Sequence, residues 1–270
     1  MSSTHTTAPA ARHTGARTTP AGRMAALARA ELILFTRSKG PLVAAVFVPL
    51  LLPFSVYSAT KGIDLKDTGL TLGLLMLPSS ISFTLLFAVY TTLVGVFVAR
   101  REQLVLKRLR TGELRDTEIL AGSALPAVAT GLAQTLILVA ACTALLGVPA
   151  PHAPHLAVIG VLLGLVMCCG FAAVTAAWTR TTESAQVTSV PLVLISAAGS
   201  GIVLPLQLLP DRLAAGCELL PLSPVIILIR GGWSGELSTY EALRALAIAL
   251  AWTGATVFAV RRWFRWEPRR

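Results

Sequence analysis

Uncharged stretches dominate this chain: Gly40–Thr60, Thr68–Ala99, Ile119–Thr179, Ser184–Pro210 and Ala245–Val260 contain no Asp, Glu, Lys or Arg. About 20 predominantly apolar residues cross the hydrocarbon core of a bilayer as a helix. The longest stretch must be divided, because Val148–His155 reads Val-Pro-Ala-Pro-His-Ala-Pro-His. Pro149, Pro151 and Pro154 remove amide donors and fix backbone angles, which puts this segment outside the hydrocarbon, where water satisfies the freed carbonyls. Six spans result, near residues 41–59, 70–98, 119–147, 156–179, 185–206 and 243–260. The second and third exceed the length of a perpendicular helix, which predicts tilt or an interfacial turn at one end. The expected fold is all-α and polytopic, a membrane domain over residues 24–262 between a disordered tail at 1–23 and a short tail at 263–270.

An even number of spans returns both termini to one side, so the cations sort into two sets. Arg12, Arg17, Arg23, Arg29, Arg37 and Lys39 precede span one, and Arg100, Arg101, Lys107, Arg108, Arg110 and Arg115 lie between spans two and three. Arg180 follows span four, and Arg261, Arg262, Arg265, Arg269 and Arg270 end the chain. Only Lys61, Lys66, Arg212, Arg230 and Arg244 fall opposite, eighteen against five of the 23 cations. The positive-inside bias predicts a multi-pass protein of the cell membrane with both termini cytoplasmic.

This sorting also accounts for the formal charge of +10. The cations are juxtamembrane, each drawn to an anionic lipid surface by about 1 kcal/mol, so lipids rather than nucleic acid are the expected partner. Cys142, Cys168 and Cys169 fall inside spans and only Cys217 lies on the outer side, so they read as packing residues without a disulfide framework. Before Met24 the chain is rich in Ser, Thr, Ala, Pro and Arg, the composition of a disordered tail, and has no apolar core of a cleaved signal.

Catalytic signatures are sparse. There is no Gly-x-x-x-x-Gly-Lys-Ser/Thr loop, so ATP-driven work would need another chain. His152 and His155 are separated by prolines and have no Cys, Asp or Glu neighbour, which reads as a solvated turn rather than a metal site. The spans hold almost no ionisable groups at depth, which argues against an ion-coupled carrier and most intramembrane enzymes. They hold small and hydroxylated residues instead. Gly69-x-x-x-Gly73 and Gly160-x-x-x-Gly164 permit close helix approach, within one subunit or between two. Ser79, Ser82 and Tyr90 in span two, Gln134 in span three and Gln186 in span five are candidates to line a translocation surface.

Two segments on the cation-rich side have helical patterning. Residues 24–39 form a predicted amphipathic interfacial helix in which Leu27, Glu31 and Leu34 are related by helical steps and Arg29 and Arg37, with Arg23 just ahead of it, project elsewhere, stopped by Gly40-Pro41. Arg100–Glu118 mixes six cations and four carboxylates with Leu104, Val105, Leu106, Leu109 and Leu114. That pattern predicts a short helix, a break at Gly112, and an acidic start to span three, where carboxylates suit the helix amino end. It reads as a membrane-surface helix or, more sharply, as a docking element for a soluble partner.

Arg100-Arg101-Glu102, then Leu106-Lys107-Arg108-Leu109-Arg110-Thr111, together with Leu220-Pro221-Leu222-Ser223-Pro224 before span six, resemble the permease subunit of ABC-2 type transporters, a family that includes drug and natural-product exporters. The resemblance covers about Met24–Arg262. It implies that Glu102 begins a coupling segment that meets a separate ATP-binding cassette ATPase, with Arg101, Leu106, Arg108, Leu109, Arg110 and Arg115 around it. It also implies short re-entrant or interfacial helices at residues 207–242 on the outer face. Gln103-Leu104-Val105 and Gly112-Glu113 depart from the family's common Gly-Thr and Pro positions.

The function implied is export of an amphiphilic drug, antibiotic or lipid-like substrate by a homodimer or heterodimer. ATP and Mg²⁺ would sit on the partner ATPase and no cofactor on this chain, which would be a transport subunit rather than an enzyme. Two alternatives come from other classes. One is a membrane enzyme for lipid-linked substrates using His152, His155, Asp211 and Glu218; the other is a non-transporting immunity protein.

Overall fold

The computed structural model describes Gly22, Arg29, Ile33, residues 72–111, 115–200 and 210–264, and Trp266. All regular structure among these residues is helical. Helix α1 (Leu72–Thr84) runs through a π-helical turn (Leu85–Thr91) into α2 (Thr92–Glu102). There follow α3 (Val105–Arg110), α4 (Asp116–Leu146), α5 (Pro154–Trp178) and α6 (Thr182–Gly199). The short α7 (Asp211–Glu218) and α8 (Ser223–Ser234) precede α9 (Thr239–Trp263).

Among the described residues, Met76–Glu102, Asp116–Ala144, Pro154–Trp178 and Thr239–Trp263 are long and apolar enough to cross a bilayer. They answer to expected spans two, three, four and six. Expected span five overlaps α6, which has 18 residues but is not among the described helices long and apolar enough to cross a bilayer; its expected end at 201–206 lies outside the described residues. So do span one at 41–59, Gly69, the tail at 1–21 and most of the 24–39 helix.

The helices extend beyond their uncharged runs, by three residues at the start of α4 and six at the start of α9, because the first charges cap them rather than end them. Glu118 Oε2 accepts the Arg115 amide at 2.8 Å at the start of α4. At the start of α9, Ser238 Oγ accepts the Glu241 amide at 3.2 Å while Glu241 Oε2 accepts the Ser238 amide at 2.9 Å, a reciprocal capping box.

Helix α5 is the hub. It packs against α8, α9, α2 and the π-helical turn, and its buried face is mostly small: Ala157, Gly160, Gly164, Ala172, Ala173, Ala176 and Ala177. A Cβ on Gly160 would stand 2.9 Å from Ile229 Cγ1, and one on Gly164 would stand 2.6 Å from Leu85 Cδ1 and 2.9 Å from Val225 Cγ1. Gly160-x-x-x-Gly164 thus serves packing within the subunit, against α8 and the π-helical turn. At Gly232 of α8 the neighbour is backbone, with the Ala157 amide nitrogen 2.6 Å from where a Cβ would be.

The outer faces of the spans are apolar. Val187 is 73% exposed, Leu194 61% and Phe258 66%, the inverse of a water-soluble surface and what lipid or a partner helix requires. At one end of the bundle, α7 and α8 make the short, proline-marked helices expected before the last span. Arg244 pairs with Glu218 at 3.0 Å, His152 Nδ1 lies 2.9 Å from the Trp233 carbonyl, and Trp252 Nε1 donates to the Leu219 carbonyl at 2.9 Å. All four cysteines are free thiols.

Candidate functional site

At the opposite end of the bundle, α2 stops at Glu102 and the chain turns sharply into α3. The elbow is Leu104, at φ 58° and ψ 15°, the one non-glycine residue with positive φ among those described. A left-handed leucine costs about 1–2 kcal/mol. Three backbone bonds hold it: Gln103 N to Ala99 O at 3.0 Å, Leu104 N to Arg101 O at 3.1 Å and Arg108 N to Leu104 O at 3.0 Å.

Arg101 turns inward at this elbow. It is 1% exposed; its Nη1 donates to the Ala176 carbonyl at 2.7 Å and its Nη2 donates to the Thr179 carbonyl. These acceptors belong to the last turn of α5 and its cap, where carbonyls have no helical partner and the helix dipole is negative. Here a buried cation is desolvated and has Nη1 and Nη2 bonded to a helix carboxyl end. Next to it, exposed Glu102 accepts a hydrogen bond from Thr182 Oγ1 at the first residue of α6. Thr181 Oγ1 accepts the Ser184 amide at 3.2 Å and so caps α6. Arg101 and Glu102 therefore fasten the elbow to both sides of the α5–α6 connection.

From there a line of hydroxyls runs into the bundle. Thr179 Oγ1 donates to the Thr175 carbonyl at 2.8 Å, Thr175 Oγ1 lies 3.0 Å from Tyr90 Oη, and Tyr90 Oη donates to the Ser189 carbonyl of α6 at 3.5 Å. Tyr90 sits in the π-helical turn, a wide turn found often at functional sites. Thr91 and Thr92 donate to the Phe87 carbonyl at 2.7 and 3.1 Å, adding bonds where the backbone ladder widens.

The expected docking residues divide by burial. Arg101 and Leu106 are 1% and 0% exposed, so in this conformation they hold the elbow to its own subunit rather than offering it to another chain. The reason is periodicity: Arg101 continues the buried stripe Tyr90, Val94, Phe97 by one more helical step. Glu102, Arg108, Arg110 and Arg115 are exposed and Leu109 is half-buried. Arg110 Nε pairs with Asp116 Oδ1 at 3.1 Å. Gly112, Glu113 and Leu114 lie outside the described residues. In the interfacial segment Arg29 is helical and exposed, while Glu31 and Arg37 lie outside the described residues.

The residues expected to line a translocation surface differ in burial. Tyr90 is 0% exposed, Ser82 1% and Gln134 2%, all facing neighbours inside the subunit. Ser82 Oγ donates to the Pro78 carbonyl at 2.8 Å. Ser79 is half-buried and Gln186 is exposed. Among the described residues no His, Cys, Asp or Glu cluster could hold a metal ion.

Comparison with protein-family profiles matches residues 23–232 to the ABC-2 type transporter membrane family. The chain belongs to that family. This ABC-2 domain is a transporter permease without an ATPase site of its own, and domains of this kind generally pair with an ABC ATPase. No curated protein matches it. The matched residues include the elbow, α3 and the α5–α6 connection. What sequence reasoning missed was the direction of Arg101, legible in its step along the Tyr90–Phe97 stripe, and the π-helical turn, which has no compositional signal.

Proposed function

We propose that this ABC-2 domain exports an amphiphilic substrate, a drug, antibiotic or lipid-like molecule, as a dimer driven by a separate ATPase that holds ATP and Mg²⁺. Both termini lie in the cytoplasm, so the Arg101 end of the bundle faces the ATPase. The excess of cations around that end supports this orientation. The ATPase docks on Glu102, Arg108, Leu109, Arg110 and Arg115 and on the interfacial helix at Arg29, Glu31 and Arg37. The mostly neutral interior, with scattered hydroxyls and Gln134 and Gln186, suits an amphiphile better than a small ion.

The single observation that carries this reading is the double fastening of the elbow by Arg101 and Glu102 to α5 and α6. ATP-driven closure of the ATPases displaces α3. Because Arg101 joins the elbow to the end of α5, the displacement reaches the α5–α6 turn and, through Thr179 and Thr175, Tyr90 in the π-helical turn. The domain thus supplies a helix packing with two arrangements, and the ATPase supplies the differential binding energy. Ser79, Ser82, Tyr90, Gln134 and Gln186 then line the path when the helices part.

Arg108→Glu tests the docking. Arg108 is exposed, and unlike Arg110 it is not the partner of Asp116. Retention of the ATPase on the solubilised domain should fall at least about tenfold, equivalent to ~1.4 kcal/mol, with membrane insertion and thermal stability unchanged. Undiminished retention would remove α3 from the interface.

A further inference from the structure

Beyond α9 the chain folds back onto the elbow. Phe264 meets Phe97 of α2 edge to face with ring centroids 6.4 Å apart, Trp266 meets Phe264 at 5.1 Å, and the Arg110 guanidinium of α3 lies over the Trp266 ring at 5.1 Å. Phe97 is 2% exposed and Phe264 packs against the main core, so the inner end of this aromatic row is fixed. Its outer end reaches the last residue of α3.

Helix α3 has only 6 residues, far below the length at which a helix is stable by itself. Its orientation must come from contacts at its two ends. Leu106, fully buried, anchors the first turn, and Arg110, held by both Trp266 and Asp116, anchors the last. A planar guanidinium suits this double engagement, since its face stacks on an aromatic ring while its edge nitrogens bond a carboxylate. Trp266 lies beyond the family-matched residues 23–232, so this anchor is a property of the chain's own carboxyl-terminal segment.

We propose that Phe264 and Trp266 form a carboxyl-terminal clasp on α3, and that Trp266 is a positioning residue for ATPase docking. The clasp rests on the docking reading given above for its function, but not for its geometry. It sets the direction in which Lys107 and Arg108 project, so a change in the tail alters docking without touching a docking side chain.

Two readouts test it on the full-length chain. Bimane attached at position 111 (Thr111→Cys with Cys217→Ser) sits next to Arg110, and tryptophan quenches bimane at contact range. Trp266→Leu, which keeps an apolar anchor but no aromatic face, should brighten the probe at least about twofold and reduce ATPase retention about two- to fivefold, the range of an exposed cation–π contact. Trp266→Tyr should leave both near the parent values. A probe that stays dim in Trp266→Leu overturns the clasp. Full retention in Trp266→Leu combined with loss in Arg108→Glu overturns the positioning role alone, whereas full retention in both sinks the docking reading and the positioning role with it.

Discussion

Arg101 is the residue on which the molecule's internal wiring converges. A cation 1% exposed at the end of a membrane helix is costly unless its donors are met, and here the carbonyls of Ala176 and Thr179 accept from Nη1 and Nη2. Removing the side chain would leave those carbonyls without these donors and cut the polar link that Arg101 makes from the elbow to the end of α5. Arg101→Ala should therefore destabilise the domain by about 2–4 kcal/mol, against less than about 0.5 kcal/mol for Arg108→Ala on the surface. Thermal unfolding of the detergent-solubilised proteins compares the two, and equal melting temperatures would show that the Arg101 bonds contribute nothing net. The residue was visible in the sequence, but its side was not. A docking segment full of arginines suggests exposure for all of them, and only the helical step from Phe97 to Arg101 distinguishes the buried one from its neighbours.

At the scale of elements, the arrangement depends on how closely α8 lies on α5. The approach is closest at Gly232, where an added Cβ would stand 2.6 Å from the amide nitrogen of Ala157 and 3.0 Å from its Cα. No rotamer relieves a contact with backbone. At Gly164 the clash is instead with side chains, the end of Leu85 at 2.6 Å and Val225 Cγ1 at 2.9 Å, which can give way where backbone cannot. Gly232→Ala should thus cost about 1–3 kcal/mol by overpacking and Gly164→Ala distinctly less, an order that thermal unfolding of the two variants checks. Had α8 been loosely placed, both would be neutral. The four described helices able to span a bilayer were legible because a missing charge over about 20 apolar residues suits hydrocarbon. Their ends were less so, since Asp116, Glu118 and Glu241 are charges that belong to a helix, as caps. The short helices α7 and α8 could be anticipated from Pro221 and Pro224, yet their burial against α5 could not, because a glycine pair such as Gly160 and Gly164 does not name its partner helix. The π-helical turn at Leu85–Thr91 leaves no mark in a sequence whose hydrophobic residues surround the helix on every side.

For the whole molecule, the distribution of charge decides what can drive it. In the four described helices long enough to span a bilayer, the charged residues lie at the ends: Arg100, Arg101 and Glu102, then Asp116 and Glu118, then Glu241, Arg244, Arg261 and Arg262. The middle of each of these helices holds hydroxyls, amides and thiols but no carboxylate, histidine, lysine or arginine, so a proton gradient finds there none of the groups that ordinarily relay protons. In the proposed mechanism energy enters at the Arg101 end, mechanically, through α3. The domain reconstituted alone in liposomes should accordingly show no concentrative uptake of an amphiphilic fluorescent dye when a pH or sodium gradient of either sign is imposed. The same liposomes with the ATPase and ATP should show uptake, and should lose it with Arg108→Glu. Gradient-driven accumulation by the domain alone would mean that an ion-coupling group exists in the membrane interior, and the elbow would then be an anchor rather than the point where work is delivered.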